Sequence, residues 1–110
     1  MRKCEEHIVD AIKNGHNYHD HNNMVHHYKG KYRVYLFGNL IATGETGEMP
    51  IRFSFCGYNT PTTRSRLRAL GCMLDRVGIG KYAISGKTIK NYARAYTCKG
   101  NPARDMVIRD

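Results

Sequence analysis

Tryptophan is absent from the chain, proline occurs only 3 times, and the 4 cysteines are scattered. Cys4, Cys56, Cys72 and Cys98 lack the close pairs that a zinc ribbon or a thiol redox motif requires, so they read as free thiols in a reducing cytoplasm. No long apolar run follows Met1-Arg2-Lys3-Cys4-Glu5-Glu6, and the sequence predicts neither a secretory signal nor a membrane span. Acidic residues are scarce as well: 9 Asp and Glu stand against 18 Lys and Arg, for a net charge of +9. The shortage is confined to the second half. Residues 1–56 balance 7 basic side chains with 6 acidic ones, whereas residues 57–110 oppose 11 basic side chains with only Asp75, Asp105 and Asp110. Such a field attracts polyanions, which points to nucleic acid of either type, or to an acidic protein, as the partner.

What is present suits a small folded unit. With 110 residues and 41% hydrophobic content, one domain over 1–110 is expected, of α+β class, and an oligomer is compatible with the sequence. Cys4, Ile8, Ala11 and Ile12 recur at helical spacing, which predicts a helix over 2–14 that stops at Gly15. Residues 16–31 then read as a His-rich polar loop marked by Asn17, Asp20, Asn22 and Asn23. His16, His19, His21, His26 and His27 are the weak candidates for a metal site there, but close neighbours lack the spacing that puts two imidazoles on one helical face; no metal and no cofactor is assigned.

Tyr32 to Phe37 and Leu40 to Thr43 flank Gly38-Asn39, which predicts a tight hairpin turning at that pair. In that register Val34, Leu36, Ile41 and Thr43 share one face, and Tyr35, Phe37, Leu40 and Ala42 the other. A third strand over 51–55, with Ile51, Phe53 and Phe55 inward, completes an antiparallel meander. Thr60 and Pro61 are the N-cap and first residue of a second helix, whose buried stripe runs Leu67, Leu70, Leu74, Val77. A further hairpin turning at Ser85-Gly86 follows the break at Gly78-Ile79-Gly80, then Asn91 to Thr97 prolongs the strand, and the tail 99–110 contains a short closing strand at Met106 to Ile108.

The first turn of the second helix combines free N–H groups, the positive end of a dipole, the hydroxyls of Thr62 and Thr63, and the guanidinium groups of Arg64, Arg66 and Arg68: an anion site in outline. Lys81, Lys87, Lys90 and Arg94 extend the same basic surface, and Tyr92, Arg94 and Tyr96 on one side of a strand suggest a stacking surface for bases. A capped helix with a solvated basic face, and an edge strand guarded by cations, give the same patterns. If the three arginines meet only ligand or water, exchanging all of them for Gln is expected to leave stability unchanged. No Ser-His-Asp, Cys-His, paired-carboxylate or HExxH pattern is legible, so catalysis is not expected; a nuclease using His26 or His27 as base is the least remote enzyme.

Leu36-Phe37-Gly38-Asn39-Leu40-Ile41-Ala42, Cys56-Gly57-Tyr58 and the run Thr60-Pro61-Thr62-Thr63-Arg64-Ser65-Arg66-Leu67-Arg68-Ala69-Leu70 together resemble a family of small tailed-bacteriophage accessory proteins whose activity is not established. The Thr-Pro-Thr-Thr-Arg-Ser-Arg-Leu part is the most specific; Tyr58 and Arg68 stand where that pattern has Trp and Asn. The resemblance implies a phage origin and an infected bacterial cytoplasm, and it supplies no catalytic residues. Element order alone is similar to that of the double-stranded-RNA-binding domain, in which a basic helix end grips phosphates. Two readings follow. One is a nucleic-acid-binding accessory protein, the other an adaptor or inhibitor that binds a host protein without catalysis.

Overall fold

A computed structural model describes residues 1–108; Arg109 and Asp110, counted in the charge balance above, lie outside the described residues. The α+β class holds, with two helices and two antiparallel sheets. Helix α1 (Lys3–Asn14) buries Ile8, Ala11 and Ile12 as its spacing predicts, and Gly15 caps it in the left-handed conformation. Glu5 is buried beside them rather than exposed on the first turn.

The residues read as a His-rich loop instead form strands β1 (Tyr18–His19) and β2 (Asn23–Tyr28). The Asp20 carboxylate closes the turn between them, accepting from the Asn22 and Asn23 backbone N–H groups at 2.9 and 2.8 Å. Strand β2 hides its alternation because two of its three inward residues, Asn23 and His27, are polar and hydrogen-bonded. Only Val25 between them is apolar and fully buried.

Strands β3 (Lys31–Leu36) and β4 (Asn39–Glu45) form the expected hairpin, but it turns one residue earlier than predicted, at Phe37-Gly38. Both residues have positive φ, 51° and 78°, the requirement of a type I′ turn; Lys29-Gly30 between β2 and β3 repeats the arrangement at 50° and 77°. A bulge between Val34 and Tyr35 shifts the register, so Val34 faces Ala42 and Arg33 faces Thr43. The predicted face assignment holds for Val34 and Leu36 but exchanges Ala42 and Thr43 for that reason: Val34 and Ala42 share the core face, and Thr43 lies on the other.

Strand β5 (Arg52–Ser54) pairs with β4 on one side. On its other side the chain returns as β9 (Ala95–Thr97), followed by β10 (Pro102–Ala103), giving the order β1-β2-β3-β4-β5-β9-β10. The meander is thus the centre of a seven-stranded sheet. Residues 91–94 form a turn rather than a strand, and Met106 to Ile108 do not pair; the closing strand is β10.

Helix α2 (Pro61–Ala69) starts as predicted, with the Thr60 hydroxyl accepting from the Thr63 N–H at 3.2 Å. It ends earlier than expected, because Gly71 at φ 96° breaks it. Leu74 and Val77 belong to strand β6 (Leu74–Gly78), so of the predicted stripe only Leu67 lies within the helix, with Leu70 buried at its C-cap, and Val77 is exposed. Strands β6, β7 (Lys81–Ile84) and β8 (Lys87–Thr88) make a second, three-stranded sheet with the expected turn at Ser85-Gly86. Five strands before α2, and a second sheet after it, depart from the double-stranded-RNA-binding order.

One ladder shows where the core sits. Val25, Val34, Ala42, Phe53 and Tyr96 are successive cross-strand partners, and all are buried. Ile8, Ile12 and Leu67 of the two helices belong to the same apolar cluster.

Candidate nucleic-acid interface

The three arginines of α2 have three different fates. Arg66 points inward and is 5% exposed. Its guanidinium donates to Glu5 Oε2 at 2.8 Å and to Asn23 Oδ1 at 2.8 Å, tying α2 to α1 and β2. Arg64 is half-buried, donates to the Asn59 carbonyl and Oδ1 at 3.0 and 2.7 Å, and lies 4.6 Å over the Tyr82 ring. Arg68 is exposed, with Nε donating to the Leu74 carbonyl at 3.1 Å.

The hydroxyls of the first turn are likewise engaged. Thr63 is buried with its hydroxyl 3.0 Å from that of Thr60, and Ser65 donates to Glu5 Oε2 at 2.6 Å; Thr62 is half-buried. Burial alone would raise the Glu5 carboxyl, but hydrogen bonds from Ser65, the Arg2 N–H and Arg66, with the guanidinium charge, hold it below its usual value. The network continues through Asn23 to Asp20, which is also lowered: burial opposes ionisation, and Tyr18, Asn22 and Asn23 outweigh it by hydrogen bonding. Tyr18, donating to Asp20 at 2.6 Å, is pushed up to about 12 mainly by that bond. Much of the predicted anion site is therefore an internal polar network that fastens helix to sheet. The exchange of all three arginines for Gln cannot be neutral for stability, since it removes the partner of a buried carboxylate.

What remains outward is a set of cations around the buried Tyr82 ring. Arg76 is its cross-strand partner, Arg64 covers its ring, and Asn59 Nδ2 donates to the Gly80 carbonyl at 3.2 Å, holding the β6–β7 turn and the exposed Lys81 beside the start of α2. Lys87 stands at the opposite end of β7, where it donates to Asn101 Oδ1. Lys90 and Arg94 are exposed. The tyrosine platform does not form. Tyr96 is buried with its hydroxyl donating to the Asn91 carbonyl, and Tyr92 packs edge-on against Phe55 at 5.0 Å.

The histidines are dispersed. His16 is 3.7 Å from Asp10, His19 and His21 are exposed, and His26 projects from the outer face of β2. His27 is half-buried, its ring nitrogens 3.0 Å from both the Ala11 carbonyl and the Thr46 hydroxyl. Among the described residues no three His, Cys, Asp or Glu side chains converge as a metal site would require.

The outer face of the seven-stranded sheet carries a basic set that the averaged charge of residues 1–56 conceals. His26, Arg33, Thr43, Arg52 and Thr97 are successive cross-strand partners, and Tyr28 pairs with Lys31 on the same face. Met106, Val107 and Ile108 lie across one end of this face, leaving a cleft of about 450 Å³. The signal for this set was the alternation of His26 and Tyr28, which shows only once β2 is read as a strand, beside Lys31 and Arg33 two apart on β3.

A family model described as Kyanoviridae Gp96 protein matches residues 1–102. The chain belongs to this bacteriophage family. The family span runs from α1 through Pro102 and so includes the α2 arginines, the Tyr82 cluster and most of the large sheet. No curated protein and no solved structure matches the chain. No helix among the described residues is long and apolar enough to cross a membrane.

Proposed function

We propose that this phage protein is an accessory factor that binds nucleic acid through a cationic surface, without catalysis, in the cytoplasm of the infected host cell. One observation carries the reading. Arg64, Arg68, Arg76, Lys81, Lys87, Lys90, Arg94, Lys99 and Arg104 have no carboxylate within 4.0 Å among the described residues, and all but Arg64 are exposed. Charges left unneutralised by the protein suit a polyanion, which gains affinity by releasing its counterions. Arg66 leaves the set because its charge is satisfied inside. Electrophoretic mobility shift with single-stranded and duplex DNA and RNA at low salt tests this, and a protein that retains none of them refutes it.

A second reading, an adaptor or inhibitor of a host protein, is favoured by a different feature. Phe37 and Tyr58 are 62% and 57% exposed and flank a cleft lined by Leu36, Ile41 and Phe55 together with Asn39, Thr60 and Thr63, while Ile79 at the tip of the nearby β6–β7 turn is 91% exposed. Exposed apolar groups gathered beside cations suit a protein surface with an acidic rim. A pull-down from bacterial lysate with and without nuclease separates the two: a host protein retained after nuclease supports the adaptor, and loss of every partner supports nucleic acid.

A further inference from the structure

The outer sheet face differs chemically from the Tyr82 cluster. Strand alternation puts every second residue of β2 and β3 outward, and the register brings His26 opposite Arg33 and Tyr28 opposite Lys31. Tyr28 is 67% exposed at the end of its strand. Lys29, in the turn that follows, holds its ammonium 5.3 Å from the centroid of the Tyr28 ring. The Thr43 hydroxyl donates to the Met106 carbonyl at 2.8 Å and pins the tail across the sheet, so that the face has a wall as well as a floor.

We infer that this cleft receives a nucleotide of a single-stranded nucleic acid, with the base against Tyr28 and the phosphate between Arg33, Lys29 and His26. A cleft of about 450 Å³ falls in the range of small-ligand sites. An exposed aromatic ring flanked by cations is the pairing that single-strand binders use: stacking on the base face and charge on the backbone. A duplex keeps its bases stacked inside and offers the ring nothing to stack on. The inference rests on the nucleic-acid reading and adds to it the strandedness of the ligand and a second place of contact.

Fluorescence anisotropy with a labelled short oligothymidylate, and with a duplex of equal length, tests the inference. Wild type is expected to bind the single strand, and the double variant Tyr28→Ala/Arg33→Gln to weaken that binding about tenfold or more while leaving duplex affinity unchanged. The variant Lys81→Gln/Lys90→Gln should weaken both ligands alike. If Tyr28→Ala/Arg33→Gln binds the single strand as wild type does, the cleft inference falls and the nucleic-acid reading stands. Wild type that binds only duplex also overturns the cleft. Wild type that binds neither ligand removes both. Photocrosslinking of wild type to an iodouracil-bearing strand, mapped by peptide mass, gives a measurement independent of variant folding: crosslinks at Tyr28 support the cleft, and crosslinks confined to the second half overturn it.

Discussion

The two faces of the seven-stranded sheet are built from alternate residues of the same strands and have opposite characters. Inward lie Val25, Val34, Ala42, Phe53 and Tyr96, sealed under the helices; outward lie His26, Arg33, Thr43, Arg52 and Thr97, of which His26 and Arg33 are exposed. Charge is therefore sorted by face as well as by position along the chain. Net charge over residues 1–56 is near zero because Glu5, Glu6 and Asp10 on α1 cancel Lys29, Lys31, Arg33 and Arg52 in an average, although these groups sit on different elements. A residue's worth to the fold or to a ligand depends on which face it occupies, and Arg66 against Arg33 shows this for a single residue type.

The comparison breaks most severely where the inner face is emptied. Phe53→Ala should cost about 4 kcal/mol in urea unfolding, the sum of lost burial and a cavity that its 0% exposed site cannot collapse. A cost under about 1 kcal/mol would mean that the ladder is not the core. Arg66→Ala is expected to cost about 3 kcal/mol, because Glu5 is left charged and buried. If Arg66→Ala and Arg68→Ala prove equally mild, the inward assignment of Arg66 is wrong.

Acid acts on the same network. Glu5 and Asp20 have folded pKa values below those of the unfolded chain, so the stability they contribute is present above about pH 4 and is lost as pH falls through their folded values. Thermal melting between neutral pH and pH 2 should show a falling Tm, and the drop should be shallower in Asp20→Asn. A parallel drop in both proteins would exclude Asp20 from the effect. The smallest change belongs to the outer face: Arg33→Gln should alter stability by less than about 0.5 kcal/mol, and a larger loss would give that side chain a structural role.

Local signals carried much of the architecture. The α1 stripe, the Thr60 cap with Pro61 after it, the Ser85-Gly86 turn and the inward Phe53 and Phe55 are each decided by neighbouring residues, and each stands in the fold. Long-range effects were hidden. Strand β2 has polar inward residues because Arg66 binds Asn23, and the Ala11 carbonyl and Thr46 hydroxyl lie against the His27 ring; partners that distant leave no trace in local periodicity. The length of α2 was misjudged because Leu74 and Val77 continue the helical spacing past Gly71, and β9 returns to β5 only after residues 55–94, which no local pattern links. Of the candidate site, Arg64 lies over the Tyr82 ring, whereas Arg66, Thr63, Tyr92 and Tyr96 serve the interior or its margin.

The cationic surface is tested most directly by titrating salt against the affinity of wild type for a labelled oligonucleotide. If about six phosphates are neutralised, affinity should fall by about a thousandfold between 50 and 200 mM salt, with a linear dependence of its logarithm on that of salt concentration. Affinity that is absent at low salt, or that does not change across this range, would contradict recognition of nucleic acid by these cations.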